Sequence, residues 1–242
     1  MLAPSHYCER ARWALDRAGV AYREERWAPG PHVVLAKRLL TKRLAAGSTQ
    51  TPILDLGAGG VIQGSGPILD WTGLPGADPD LERWFEREVA PLVRQFFYAA
   101  LLGDPASGIR RVLFDGVPRG QALAGRLLWP RTRRRIVQLM DARPALVPAL
   151  LDRVEASLAR FDGVLAERGR HLVGSAFGRA DLTAASLLAP LARPRESPIH
   201  ALYTGVAYPP AVGAALARWA ERPSLAWVLR TYAEYRLGPR AV

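Results

Sequence analysis

A serine and a cysteine near the start of the chain stand three positions apart, about one helical turn. The stretch Ser5-His6-Tyr7-Cys8 opens a pattern of apolar residues at helical spacing that runs to Gly19, which predicts a helix with Ser5 as its N-cap. The N-terminal end of a helix carries partial positive charge and unpaired amide donors, so it stabilises an anion such as a thiolate or a carboxylate. Ser5 and Cys8 are therefore candidates for thiol chemistry, and plain helix capping by Ser5 is the alternative.

Other common catalytic signatures do not occur in the sequence. The four histidines are scattered without a partner at ligand spacing, and the single cysteine gives no zinc signature. No Gly-x-Ser-x-Gly elbow, Walker loop or His-Glu-x-x-His motif is present. The glycines at 57–60 are not followed by a lysine, so they predict a turn and not a phosphate loop. We therefore expect chemistry that uses no metal ion.

Length and composition indicate a folded, globular protein. The chain has 242 residues, of which 49% are hydrophobic, and this is enough for one large or two modest domains with their own cores. One cysteine cannot form an internal disulfide, which suits a reducing compartment. No run approaches the roughly 18 apolar residues of a membrane span, and no apolar leader opens the chain. These features predict a cytoplasmic protein.

The chain is strongly basic. Its formal net charge is +11, and nearly all of the cations are arginines because only Lys37 and Lys42 are lysines. We interpret this excess mainly as genomic coding bias. Attraction to nucleic acid, anionic lipid or acidic substrates is the alternative. RNA-binding signatures such as paired aromatic residues on strands are absent from the sequence, so we expect no specific nucleic-acid partner.

The pattern of residues 20–73 predicts the rest of a small α/β domain that begins with the first helix. The segment 20–27 is a candidate strand, although its run of charged residues gives poor alternation, and Pro31 to Leu44 is a basic helical region. Residues 52–56 and 61–62 flank the glycine turn, which predicts a hairpin. The turn-rich segment 74–79 predicts a linker.

Everything after the linker has a helical pattern. Asp80 is the predicted N-cap of a helix with a kink at Pro91, and further helices are expected at 118–140, 147–169, 179–191, 212–220 and 223–235. The helix at 179–191 is apolar almost all round, so it should be the buried central helix of this part.

Four stretches resemble motifs of the glutathione transferase family. Ser5-x-x-Cys8 is similar to the start of the family's first helix, where a thioredoxin-like Cys-x-x-Cys has become Ser-x-x-Cys. Thr51-Pro52 resembles the cis-proline position before the third strand. The turn at 63–65 resembles the acidic-Ser turn into the third helix, with Gly64 in place of the acidic residue. Residues 178–181 look like the C-terminal capping-box motif, in which Gly178 replaces the usual hydroxyl and Asp181 bonds back to the cap amide.

The resemblance covers nearly the whole chain and implies a two-domain fold. It predicts a thioredoxin-like α/β domain at 1–73, the linker at 74–79 and an all-α helical bundle at 80–242. Only Met1 to Pro4 precede Ser5, so the first strand of the α/β domain is expected to be truncated. Gly178 and Asp181 are expected to be structural capping residues and not catalytic ones.

The resemblance also implies an activity. A glutathione transferase would use Ser5 to hydrogen-bond the sulfur of glutathione, its co-substrate, and would conjugate the thiolate to a small apolar electrophile, as in detoxification. Thr51 and Pro52 would pair with the peptide backbone, while Gln63 and Ser65 would hold the γ-glutamyl end. Gly64 leaves no carboxylate at that position for the ligand's ammonium group. The family further implies a homodimer.

Two other functions are compatible with the sequence. Cys8 is the candidate nucleophile of a glutathione-dependent thiol-disulfide oxidoreductase, and a non-catalytic binding protein with this fold and a basic surface is the third hypothesis. The segment from Asp104 to Arg143 is longer than a simple connection and contains the arginine-rich run Arg126 to Arg135. We interpret it as a solvated insertion, with weak contact to a membrane surface or to phosphate groups as the alternative.

Overall fold

The computed structural model describes residues 1–43 and 47–236. Leu44, the predicted end of the second helix, lies outside the described residues, as do 237–242 of the predicted helical domain. The N-terminal part contains the predicted hairpin, in which Ile53–Asp55 and Val61–Gln63 are antiparallel strands with Leu54 opposite Ile62. Its elements are α1 (His6–Arg17), α2 (Pro31–Lys42), β1 (Ile53–Asp55), β2 (Val61–Gln63) and α3 (Ser65–Thr72).

The candidate strand at 20–27 does not join a sheet, so that prediction was wrong. The sheet in the described part of the chain has two strands. Met1 lies beside the segment: the Trp27 amide donates to the Met1 carbonyl at 2.8 Å, and the Met1 amino group donates to the Glu25 carbonyl. This is the pattern of one parallel bridge. Val20 and Tyr22 pack against the cluster of Ala11, Leu15 and Ile68, whereas the charged residues that follow them supply no further apolar side chains for a longer strand to bury.

The remainder of the described chain is helical, and a π-helical turn at Phe85–Val89 joins α4 (Pro79–Trp84) to α5 (Ala90–Leu101). Asp78, and not Asp80, caps α4: its Oδ1 accepts a hydrogen bond from the Leu81 amide at 2.9 Å. The helix predicted at 118–140 is broken in two at Leu128. These helices are α4 (Pro79–Trp84), α5 (Ala90–Leu101), α6 (Ile109–Leu113), α7 (Arg119–Leu127), α8 (Trp129–Met140), α9 (Val147–Arg168), α10 (Arg179–Ala192), α11 (His200–Thr204), α12 (Pro210–Trp219) and α13 (Pro223–Tyr235).

Helix α10 lies at the centre of the main core, as its apolar composition predicts. Nearly all of its residues are buried, and it packs on both α1 and α13. Trp13 of α1 and Leu69 of α3 belong to the same core cluster as the helices of the C-terminal part. A second, smaller cluster joins Ala11, Leu15 and Ile68 to side chains of the hairpin. The core therefore fixes α1 and α3 against the helical part.

The N-terminus of α10 is held by the linker as well as by its own cap. Asp181 accepts hydrogen bonds from the amides of Gly178 and Leu172, both at 2.8 Å. The linker carbonyl of Pro75 accepts from the Arg179 amide at 2.7 Å. A Cβ atom at Gly178 would lie only 2.8 Å from that carbonyl oxygen, so a serine or threonine cap would push the linker away. Glycine at this position permits the close approach.

Candidate functional site

A cleft of about 1100 Å³ lies between the N-terminal part and the helical part. Four residues singled out from the sequence line it together: Ser5, Thr51, Pro52 and Ser65. They come from the N-terminus of α1, the turn before β1 and the N-terminus of α3. Two helix N-termini therefore face the same cleft, and this arrangement favours an anionic ligand.

Ser5 caps α1 and lies partly exposed in the cleft. Its Oγ accepts a hydrogen bond from the Cys8 amide at 3.3 Å, and within the described residues the hydroxyl donates to no protein atom. The hydroxyl proton is thus free to bond an anion in the cleft. Such a bond favours the ionised form of a bound thiol and lowers its pKa.

Cys8 lies one turn deeper and does not reach the cleft. Its side chain is fully buried, and its Sγ lies 3.9 Å from the Thr51 hydroxyl oxygen. A mixed disulfide requires contact between this sulfur and a ligand sulfur. The buried position therefore gives a ligand in the cleft no direct access to Cys8.

The turn before β1 lines the cleft with Thr51 and Pro52. The Thr51–Pro52 peptide bond is cis, the conformation that the family resemblance implies for this position. Gln63 does not line the cleft: its side-chain amide accepts from the Ser48 amide at 2.9 Å and donates to the Gln50 carbonyl at 2.9 Å. Gln63 thus holds the loop that leads into Thr51.

Ser65 is the first residue of α3 and is buried against the cleft. The N-cap before it is Gly64, whose φ of +97° lies in a region that side chains with a Cβ rarely adopt. An acidic residue at Gly64 would be strained in this backbone. The local geometry therefore explains why a glycine stands where the family's motif has a carboxylate.

The helical part, and not position 64, supplies a carboxylate near the N-terminus of α3. Glu86, in the π-helical turn, lines the cleft, and a Cβ atom at Gly66 would lie 2.9 Å from its Oε1. The Arg10 guanidinium holds Glu86 in place. Sequence reasoning missed this residue, because nothing in the sequence links Glu86 to a turn some 20 positions earlier.

Glu86 belongs to a cluster of charged side chains with one carboxylate in excess. Arg10 also bonds Glu82 at 3.2 Å, and Arg179 bonds both Glu82, at 2.8 Å, and Asp70. Two guanidinium groups thus face three carboxylates. The cluster can accept one further cation where Glu86 meets the cleft, with the Glu86 side chain 35% exposed.

The neighbouring His6 and Tyr7 side chains are both neutral at physiological pH. Burial and, to a smaller extent, the nearby Arg94 charge lower the pKa of His6 to about 3. Burial likewise raises the pKa of the Tyr7 phenol, whose hydroxyl donates to the Glu86 carbonyl at 3.3 Å. Ser5 is therefore the hydroxyl group in this turn that remains free to bond a ligand.

The far wall of the cleft is mainly apolar, and the insertion at 104–143 forms part of it. Helix α8 contacts the N-terminal part at Gly30. Thr132 of α8 lies so close to this glycine that a Cβ atom there would be 2.9 Å from the Thr132 hydroxyl oxygen. The Ala28 amide donates to the Gln121 side chain at 3.2 Å. The interpretation of this segment as a solvated insertion was thus incomplete. Apolar lining residues are Phe97, Leu101, Ile109, Val112, Leu113 and Ile136.

The described residues contain no group of three or more His, Cys, Asp or Glu side chains placed to bind a metal ion. Across 1–43 and 47–236, no helix combines the length and apolar composition needed to cross a bilayer.

One family model matches a segment of the helical part. Residues 121–212 match the family model described as "Glutathione S-transferase, C-terminal domain". No curated protein sequence matches the chain.

Solved structures extend the likeness to the whole chain. Glutathione transferase GSTFuA3 from Phanerochaete chrysosporium is 16% identical, with a TM-score of 0.63 over 98% of this chain and 92% of that one. Glutathione S-transferase CsGST63524 of Ceriporiopsis subvermispora, solved in complex with glutathione, is 16% identical, with a TM-score of 0.61 over 98% and 93%. The β-etherase LigF from Sphingobium sp. strain SYK-6 is 18% identical, with a TM-score of 0.53 over 96% and 97%. The predicted fold is confirmed: a thioredoxin-like α/β part is followed by an all-helical part.

Proposed function

Because the chain has the glutathione transferase fold and carries that family's C-terminal domain, we propose that it conjugates the thiolate of glutathione to a small electrophile. The observation that carries the proposal is the convergence of Ser5, Thr51, Pro52 and Ser65 on one cleft with an apolar far wall. In this proposal residues 1–73 bind the tripeptide, 74–79 link the domains and 80–242 supply the electrophile pocket.

Ser5 is the proposed catalytic residue. Its hydroxyl donates a hydrogen bond to the glutathione sulfur, and the N-terminus of α1 adds positive potential, so that more of the thiol is ionised near neutral pH. The thiolate then attacks the electrophilic carbon, and the leaving group departs with its bonding electrons. Cys8 takes no direct part because it is buried away from the cleft.

The tripeptide is held along the turns that flank the sheet. Thr51 and Pro52 offer backbone groups to its central residue, with Gln63 fixing the preceding loop. Ser65 and the first amides of α3 bind the γ-glutamyl carboxylate. Glu86 takes the γ-glutamyl ammonium and so supplies the carboxylate that Gly64 lacks.

Further parts of the proposal concern the setting of the reaction. We place the protein in the cytoplasm, in a detoxifying role, and we assign it neither a metal nor a specific nucleic acid. We also propose the homodimer that the family resemblance implies, in which Trp71 on α3, 44% exposed, would be covered. Weak contact of the 126–135 segment with a membrane surface is supported by Leu127, 74% exposed beside Arg126.

Calorimetric titration of the full chain with glutathione tests the binding proposal. We expect saturable binding, and about tenfold or more weaker binding of the analogue in which a glutaryl group replaces γ-glutamate, because that analogue has no ammonium for Glu86. Ser65→Ala should weaken the binding of both ligands. Ser157→Ala, at an exposed hydroxyl that bonds only the Arg153 carbonyl, should leave both unchanged. No binding of glutathione at millimolar concentration would refute the proposal.

A further inference from the structure

The wall that α5 contributes to the cleft contains one cation. Arg94, Phe97, Tyr98 and Leu101 lie at helical spacing and all line the cleft. Arg94 is partly buried, and its guanidinium carbon lies 5.7 Å from the centre of the Tyr7 ring. The positive charge therefore sits where the residues around Ser5 meet the apolar wall.

Arg94 has no anionic partner in the described part of the chain. Its Nε atom is buried without a hydrogen-bond acceptor, and no ion pair to its guanidinium is formed. The buried Arg10 and Arg12, by contrast, each bond two carboxylates. A partly desolvated guanidinium with unused donors is costly unless an acceptor arrives. The Arg94 guanidinium thus has N–H donors available to bind an anion that enters the cleft.

The other charges around the cleft favour the same kind of ligand. Arg131 and Arg135 of α8 line its rim and are exposed. Among the described lining residues the one carboxylate is Glu86, which the Arg10 guanidinium already neutralises in part. His6, buried in the lining, has an Nε2 atom without a hydrogen-bond partner. Three arginines in and around one cleft create a positive potential that attracts anions.

We propose that the electrophile carries its own negative charge, as an aromatic or other apolar compound with a carboxylate or sulfonate group, and that Arg94 binds this group. The planar guanidinium fork matches a carboxylate in a bidentate pair. The apolar body of the substrate then packs on Phe97 and Leu101, with its reactive carbon towards the Ser5 side. This inference rests on the proposed function, of which it names the substrate class, and it concerns the electrophile half of the cleft alone.

The test compares two ligands that differ only in charge. 4-Chloro-3,5-dinitrobenzoate and its neutral carboxamide both react by forming a carbon–sulfur bond at C4 as chloride leaves with the bonding electrons. We expect the ratio of kcat/KM for the acid to kcat/KM for the amide to exceed the ratio of their uncatalysed rates with glutathione by about tenfold or more. Arg94→Gln should lower the acid-to-amide ratio about 10- to 100-fold, the range of a lost charge-assisted hydrogen bond.

Matched controls assign the effect to Arg94. Arg126→Gln removes the same charge from an exposed site outside the cleft lining and should change the ratio by less than about twofold. Arg94→Lys should restore part of the preference. A preference for the acid that survives in Arg94→Gln, or that falls equally in Arg126→Gln, would overturn the assignment to Arg94.

A second measurement needs neither glutathione nor turnover. Calorimetry with unreactive 3,5-dinitrobenzoate and 3,5-dinitrobenzamide reports binding alone, so it stays decisive if conjugation fails. We expect the acid to bind about tenfold or more tightly in the wild-type chain, with the preference lost in Arg94→Gln. Equal affinities for the two ligands in the wild-type chain would overturn the proposal even if Arg94→Gln did not fold.

Discussion

Replacing Ser5 by alanine is expected to lower kcat/KM for conjugation of glutathione to an aromatic electrophile by about 10- to 100-fold. The reason is the loss of one hydrogen bond to a charged sulfur, which contributes about 1.5 to 3 kcal/mol. The Ser5 hydroxyl donates to no other described group and lies in the cleft. The decrease should be larger at low pH, because the bound thiol is then less ionised in the variant than in the wild type. Steady-state kinetics between about pH 6 and 8 measure this effect.

Two variants separate the chemical role of Ser5 from its capping role. Ser5→Ala also removes the acceptor for the Cys8 amide, which costs about 1 kcal/mol of helix stability. Ser5→Thr keeps both the cap and the hydroxyl, so it should retain most of the activity. Cys8→Ala removes the buried thiol and should have little effect on turnover. The reverse ranking, with Cys8→Ala inactive and Ser5→Ala active, would support the oxidoreductase hypothesis instead.

Replacing Arg10 by methionine should lower the free energy of unfolding by about 3 to 5 kcal/mol. Its side chain is fully buried and bonds Glu82, Glu86 and the Thr183 hydroxyl. Methionine keeps most of the volume but leaves the partly exposed Glu86 without this ion pair and the buried Glu82 with one of its two described cation partners, Arg179. A buried carboxylate that loses a charged partner is strongly destabilising. The loss is a large share of a domain stability of roughly 5 to 15 kcal/mol. Denaturant unfolding measures it.

An exposed ion pair provides the control for Arg10. Arg83 bonds Asp80 at 2.7 Å, with side chains 55% and 91% exposed. Arg83→Met should change the stability by less than about 1 kcal/mol, because water screens this pair. Equal effects of the two substitutions would show that the buried cluster does not hold α1 to the helical part.

The sequence predicted the elements whose pattern is local. Helices α1, α9 and α10 follow their apolar spacing because each buries a stripe or a whole surface in the main core. The hairpin follows the glycine turn that separates two short apolar runs. Boundaries were less accurate: Asp78 competes with Asp80 for the cap of α4, and the geometry of one hydrogen bond decides between them.

The features that the sequence did not predict depend on contacts between distant segments. Glu86 reaches the N-terminus of α3 only because the core sets the π-helical turn beside α1 and α3. Helix α8 has no buried residue, so its arginine-rich pattern resembles a solvated surface even though one side lines the cleft. The unpaired guanidinium of Arg94 is likewise a property of its surroundings and not of its neighbours in sequence.

The ionisation of bound glutathione tests the central claim most directly. We expect the thiol in the saturated complex, followed by the ultraviolet absorbance of the thiolate, to titrate near pH 6.5 to 7, below the value of about 8.5 for a free thiol. The pKa should return towards 8.5 in Ser5→Ala and stay low in Cys8→Ala. A bound thiol that titrates like free glutathione in the wild-type protein would contradict the assignment of Ser5 and of the α1 N-terminus as the activating group.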